Sequence, residues 1–207
     1  MFMGASTQQG KRIAEESRAI VRNLIQDQVK GLSPEEVDIV ERIVHSTADP
    51  EYAKLVSFHS NFVNSALKSL KNNDDILTDI NMVKSGITQY NGHVNCFIKN
   101  DEVVKIAKEF KITRAAAAIQ HASDIGFKGI IVIGNAPTAL FKCIELFEKG
   151  ILNVKAIVGV PVGFVAATES KETLMNTDIP SIITEGPKGG TPVAVASINS
   201  LIGHLNK

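Results

Sequence analysis

Two hydrophobic textures divide the chain. Up to about residue 72, apolar residues recur every three or four positions, the spacing that lays a single stripe along a helix. Ile13, Ile20, Val21 and Leu24 fall on one such face and predict a helix that stops near Gly31. The stretch SPEE, 33–36, predicts the start of the next. Ser33 can cap, Pro34 suits a first helical position because it has no N–H to leave unpaired, and Glu36 completes a capping box. Val37, Val40, Ile43 and Val44 then point inward, and the helix ends around His45, ahead of the turn signal Asp49-Pro50. Phe62, Val63, Ala66, Leu67 and Leu70 predict a further helix before Asn72.

From about residue 75 the pattern changes to short apolar runs at 76–78, 94–98, 129–133, 156–160 and 181–184. Between them lie helical stretches at 79–86, 101–125 with a break near Lys111, 137–149, 169–175 and 191–205. Runs so rich in β-branched residues and too apolar to face water imply a parallel sheet covered on both faces. The expected fold is therefore α/β: a three-layer α/β/α sandwich on a five-stranded, mainly parallel sheet, with a helical N-terminal extension. A single domain is expected over 1–207, with 10–72 helical and 75–205 forming the doubly wound core. Ligands of such sheets meet the turns at the carboxyl ends of the strands. Thr78-Asp79, Gly134-Asn135, Pro161-Val162-Gly163 and the loop EGPKGGT, 185–191, are thus expected to converge on one crevice.

Composition narrows the partners. A length of 207 residues with 44% hydrophobic content suffices for one substantial core. Twenty-two basic residues offset twenty-two acidic ones, which gives no broad basic face for nucleic acid or an acidic membrane, so anions are expected to be bound locally. An aromatic content of 5% without tryptophan argues against a base-stacking surface. Cys96 and Cys143 show no CxxC spacing and read as buried free thiols in a reducing compartment. Neither a signal-peptide pattern nor an apolar run of ~18 residues is present, so a cytoplasmic protein with no membrane partner is expected.

Candidate chemistry gathers near helix ends. The segments after Ala136 and Gly190 open with Pro137-Thr138 and Thr191-Pro192, and unpaired N–H groups there suit a carboxylate or phosphate. Lys188, Gly189 and Gly190 add a cation and approachable backbone; alternatively the glycines only form the turn and Thr191 only caps. GPKGGT lacks the spacing of a P-loop and no strand is followed by GxGxxG, so nucleotide readings fail. None of the five histidines pairs with His or Cys at metal-ligand spacing on one helix, and no metal site is expected. His45, at the carbonyl end of a helix, either acts as a general acid whose protonated form the helix end favours or simply satisfies the last carbonyls of its own helix. Arg114 opens an alanine-rich helix after Thr113, where its guanidinium either reaches a carboxylate or stays solvated. Lys171, in Glu169-Ser170-Lys171, either faces the crevice or belongs to an exposed helix start.

Longer motifs add a resemblance. IGNAPTALF, VGVPVGFVAATESKE and GPKGGTPVAVASIN, with ERIVHSTAD, DINMVKSGI and ITRAAAA upstream, resemble the precorrin-8X methylmutases, also called cobalt-precorrin-8 methylmutases, of cobalamin (vitamin B12) biosynthesis. The likeness runs from about Ser17 to Leu201. It implies a flavodoxin-like fold, a homodimer, and an isomerase that moves the C11 methyl group of a corrin-type tetrapyrrole to C12, giving hydrogenobyrinate or cobyrinate. No cofactor is implied; cobalt enters only as part of the substrate. The resemblance further implies His45 as catalytic acid and Ser17, Thr88 and Arg114 as substrate-binding residues. Asn135, Lys188, Gly189 and Gly190 are expected to contact the periphery of the macrocycle. The sequence departs from the family's usual pattern at Arg18, Pro50, Glu185 and Pro187. A non-catalytic tetrapyrrole carrier with the same fold is the alternative, and an FMN-binding flavodoxin-like domain a further one.

Overall fold

The computed structural model describes residues 7–205. Helix α1 (Gln8–Ile25) is capped by the Thr7 hydroxyl, which accepts from the Gly10 amide. Helix α2 (Pro34–Thr47) opens with the expected capping box between Ser33 and Glu36 and stops at Ala48, which adopts a left-handed conformation. A short helix α3 (Tyr52–Leu55) leads into β1 (Val56–Phe58), followed by α4 (Phe62–Lys71), β2 (Asp75–Thr78), α5 (Asn81–Gly86) and β3 (Val94–Asn95). The break near Lys111 separates α6 (Asp101–Glu109) from α7 (Arg114–Asp124). Then come β4 (Lys128–Ile133), α8 (Pro137–Glu148), β5 (Asn153–Gly159), α9 (Ala167–Met175), β6 (Ser181–Thr184) and α10 (Thr191–Leu205). No helix among the described residues is long and apolar enough to cross a membrane.

The sheet runs β1-β6-β5-β4-β2-β3, parallel throughout except that β1 is antiparallel to β6. Counting the parallel strands alone gives the order 2-1-3-4-5 of flavodoxin-like folds. Two expectations need correction. The sheet has six strands instead of five, and the extra one, β1, lies inside the segment expected to be wholly helical. Three residues are too few to show an alternation, and it is pairing with β6 (Val56 opposite Thr184, Phe58 opposite Ile182) that makes them a strand. The run at 94–98 contributes only Val94–Asn95, because Phe97 leaves the sheet to meet His121 edge-on at 5.2 Å.

Alternation along each strand sorts the core into two layers. Ile130 and Val132 of β4 face α2, α4 and α10, whereas Ile131 and Ile133 face α7, α8 and α9. Helix α1 splits differently from its apolar pattern: Val21 and Ile25 are buried, while Ile13, Ile20 and Leu24 point outward at 56%, 61% and 55% exposure. Of the free thiols, Cys143 is buried but Cys96 only half-buried.

Strand order reverses between β2 and β4, and Asp79 occupies that point. Its fully buried carboxylate accepts from the amides of Gly134 (3.1 Å), Asn135 (2.8 Å) and Ala136 (2.7 Å). Burial raises its pKa above the ordinary carboxylate value, and these three amides oppose the rise. The β4–α8 turn therefore binds a carboxylate of its own chain, not one from a ligand.

The loop from β6 to α10 is tied down just as fully. The Gly190 amide donates to Val160 O (2.8 Å), the Gly163 amide to Pro187 O (3.1 Å) and the Tyr52 hydroxyl to Gly189 O (3.2 Å). A Cβ on Gly189 would lie 2.4 Å from Val160 O, and Gly190 has φ +113°, so both positions require glycine. From below, the buried Lys171 donates to Lys188 O (2.8 Å) and Thr184 Oγ1 (3.3 Å), and burial pushes its pKa down to about 8.

Two stability measurements test these anchors. Asp79→Ala strands the three amides and is expected to cost about 2–4 kcal/mol by urea unfolding, with Asp79→Asn milder because its amide oxygen still accepts. An unchanged unfolding midpoint for Asp79→Ala would contradict the anchoring role. For Lys171 the folded pKa lies below the unfolded value of 10.5, so between about pH 8 and 10.5 the unfolded chain holds the additional proton and this group's contribution rises with pH. The unfolding free energy of wild type minus that of Lys171→Met should accordingly increase across that window.

Candidate active site

The four segments expected to converge do so at the carboxyl edge of the sheet. Asp79 grips the 134–136 turn, a Cβ on Gly134 would lie 3.3 Å from Thr191 Cα, and residues 160–163 are bonded to 187–190. Helix α2 packs antiparallel on α10 and brings its last turn to the same edge, where the Ser46 hydroxyl oxygen lies 3.4 Å from Pro192 O.

His45 sits in that last turn, exposed. Its ring makes no hydrogen bond to a carbonyl of its own helix among the described residues. The ring turns to α1 instead, with Nδ1 2.7 Å from Ser17 Oγ. In the protonated ring Nδ1–H donates to the serine and Nε2–H is left for another acceptor; in the neutral ring that accepts from Ser17, Nε2 still carries the proton. Ser17 reaches this place because α1 lies on α2 through Val21, Ile25 and a cluster of ion pairs. Arg18 Nη2 bonds Asp38 Oδ1 (2.9 Å) and Glu41 Oε2 (3.0 Å), and Arg22 Nε bonds Glu41 Oε1 (2.6 Å). Arg18, a departure from the family's pattern, is thus fixed between two acids.

Thr88 is exposed beyond α5 and no hydrogen bond joins it to His45. Its amide donates to Asn199 Oδ1 (3.1 Å), Asn199 Nδ2 donates to Gly86 O (2.8 Å), and Arg42 on α2 donates to Asn199 O (3.1 Å). Arg114 is the first residue of α7, exposed and without a hydrogen bond or ion pair to any described residue. The Thr113 cap lies 2.7 Å from the Thr138 hydroxyl, which draws the starts of α7 and α8 together and sets Arg114 on the same rim as the exposed Asn135 side chain.

The glycine loop differs from expectation. Lys188 Nζ is bonded to Asp49 Oδ2 (2.6 Å) and Glu51 Oε2 (2.8 Å), so two carboxylates outweigh its charge. Asp49 is held below the usual carboxylate range, chiefly by its hydrogen bond from Lys188. Lys188, the Gly190 amide and the Gly189 carbonyl are thus all engaged within the protein. Likewise the backbone amide of Asn135 is spent on Asp79, which leaves only its side chain to face a ligand. Glu185 accepts from the Ser57 hydroxyl at 2.7 Å, and the Pro187 carbonyl receives the Gly163 amide. Beside this loop stand Val162, Phe164 and Val165, exposed by 47%, 98% and 84%.

Asp79, Glu41 and Asn199 are the organising residues that the hydrophobic pattern passes over. A signal existed for two of them. Glu41 in IVERIV and Asn199 in ASINSLI are polar residues on faces that otherwise point inward, and a buried polar group needs a partner.

Comparison with known proteins adds an independent line. A sequence model of the precorrin-8X methylmutases matches residues 12–204. The cobalt-precorrin-8 methylmutase of Methanothermobacter thermautotrophicus is 56% identical over 97% of this chain and 96% of its own length. That of Methanocaldococcus jannaschii is 50% identical over 98% and 97%. Among solved structures, the precorrin-8x methyl mutase of Thermus thermophilus superposes with a TM-score of 0.83 at 36% identity, covering 93% of this chain and 95% of that one. With a match over nearly its whole length, the chain belongs to the precorrin-8X methylmutase family.

Proposed function

We propose that this protein is an isomerase of cobalamin biosynthesis that transfers the C11 methyl group of precorrin-8X or cobalt-precorrin-8 to C12, with His45 as the proton donor. The observation that carries the reading is the Ser17–His45 hydrogen bond of 2.7 Å, which holds the exposed ring through Nδ1 and leaves Nε2 without a partner among the described residues. A 1,5 methyl shift breaks one carbon–carbon bond and forms another with no change of oxidation state, so no redox cofactor is required. Protonation of the conjugated macrocycle by Nε2–H draws electron density from the migration path, and the same nitrogen recovers the proton afterwards, so the product is a true isomer.

The remaining groups fit a flat, many-armed acid. Arg114, whose guanidinium is unengaged, suits an acetate or propionate arm. Val162, Phe164 and Val165 offer an apolar face to the macrocycle, and Thr88 and the Asn135 side chain supply further contacts. The role of Lys188 is structural: it holds Asp49 and Glu51 against the loop. Both archaeal relatives are named for the cobalt-bearing substrate, which supports cobalt-precorrin-8 as the substrate here, with the metal arriving inside it. The outward stripe of Ile13, Ile20 and Leu24 fits burial against a second copy in a homodimer.

The decisive experiment incubates purified protein with metal-free and cobalt-bearing substrate in separate cuvettes and follows the absorption change of isomerisation. Turnover is expected with the cobalt form, and His45→Ala should lower kcat by about 10²–10⁴-fold while product binding persists. Product binding without turnover in the wild type would establish a carrier and sink the enzyme reading. For assembly, equilibrium sedimentation should give twice the chain mass, and Ile20→Glu with Leu24→Glu should halve it; a wild-type monomer at micromolar concentration would refute the dimer.

A further inference from the structure

We infer that Glu41 is the positioning residue for the Ser17–His45 pair, acting through Arg18 and Arg22. The inference rests on the reading of His45 as the proton donor, but its structural half stands on contacts alone. Helix α1 gives the core only Val21 and Ile25. Apolar burial is non-directional, so these two side chains attract α1 to α2 without fixing its rotation or its register. Charge-assisted hydrogen bonds are directional, and Glu41 makes one with each oxygen: Oε2 with Arg18 at 3.0 Å and Oε1 with Arg22 at 2.6 Å.

The placement of these groups along the two helices gives the cluster its leverage. Glu41 and His45 stand one turn apart on α2, and Arg18 is the neighbour of Ser17 on α1. Any roll of α1 that carries Ser17 away from His45 Nδ1 must therefore pull both arginines from a carboxylate buried at 2% exposure. Asp38 adds a second acceptor for Arg18 at 2.9 Å and acts on Arg22 through its charge, whereas Glu41 is hydrogen-bonded to both arginines. The tolerance of proton transfer to misplacement is small, and a shift of ~1 Å costs up to about 10²-fold in rate.

The test uses the full chain with Glu41→Ala, Glu41→Gln and Arg22→Met; the last removes a side chain that is 60% exposed and leaves the core packed. Ring 15N NMR of His45 in the free protein reads the Nδ1 hydrogen bond directly and needs no turnover. The Nδ1 resonance of Glu41→Ala is expected to move to its position in Ser17→Ala, with Glu41→Gln and Arg22→Met displaced part of the way. In the isomerase assay Glu41→Ala should lose about 10–100-fold in kcat with KM changed less than about threefold. The same substitution in a Ser17→Ala background should cost under about twofold more, because the partner it positions is already gone. An unmoved Nδ1 resonance in the Glu41 and Arg22 variants overturns the inference, as does an equal loss of kcat with and without Ser17. If wild type shows no turnover, the isomerase reading fails while the NMR arm still decides what Glu41 holds.

Discussion

Everything at the carboxyl edge depends on a buried carboxylate finding donors. Asp79 lies where the order of the parallel strands reverses, the place at which a doubly wound sheet opens between helices that go to opposite faces. In many folds of this kind the turn after the central strand offers its amides to a phosphate. Here Asp79 takes three of them, and a carboxyl group so enclosed is tolerable only because it does. The amides of this turn are consequently engaged within the protein and are not offered to a ligand. A substrate whose charge is spread over several flexible carboxylate arms fits that arrangement better than one with a compact phosphate.

The same economy governs the surrounding charges. Lys188 is spent on Asp49 and Glu51, Arg18 and Arg22 on Glu41 and Asp38, and Lys171 on the Lys188 carbonyl and Thr184. These pairs fasten the loop and helices at the carboxyl edge of the sheet. Arg114 is left with no partner among the described residues, at the start of a helix whose N-terminal dipole adds to its own positive charge. Net neutrality of the chain is thus compatible with a local attraction for a carboxylate.

The layers and their order were legible because they depend on local rules. Central strands buried on both faces are continuous apolar runs, so β2, β4, β5 and β6 appear in the sequence, and the capping box of Ser33 and Glu36 marks the start of α2. Strand β1 was not legible, since its hydrogen bonds come from a partner more than a hundred residues away and its three side chains are all half-buried. Helix α1 misled for another reason: its periodicity records two apolar faces, one toward the core and one toward solvent, and periodicity alone cannot tell which is covered. At the site, His45 could be singled out by its place at a helix end, but its partner, Ser17, lies on another helix and is 28 residues away in sequence. Lys188 read as a free cation because Asp49 and Glu51 are distant in sequence and meet it only after α2 has packed on α10.

Phe164 is the most exposed of the large apolar side chains described. The fold buries almost every large apolar side chain of its strands, yet this phenylalanine is 98% exposed and its neighbour Val165 84%, immediately before the left-handed Ala166. Leaving a phenylalanine in water forgoes about 1.5–3 kcal/mol of burial, a loss that nothing else in the described structure recovers. A polar solute would gain nothing from that surface. A broad conjugated ring lying against the rim would bury it, while its acidic arms reach outward to Arg114 and the threonine and asparagine side chains. A ligand flat and apolar at its centre would return that cost on binding.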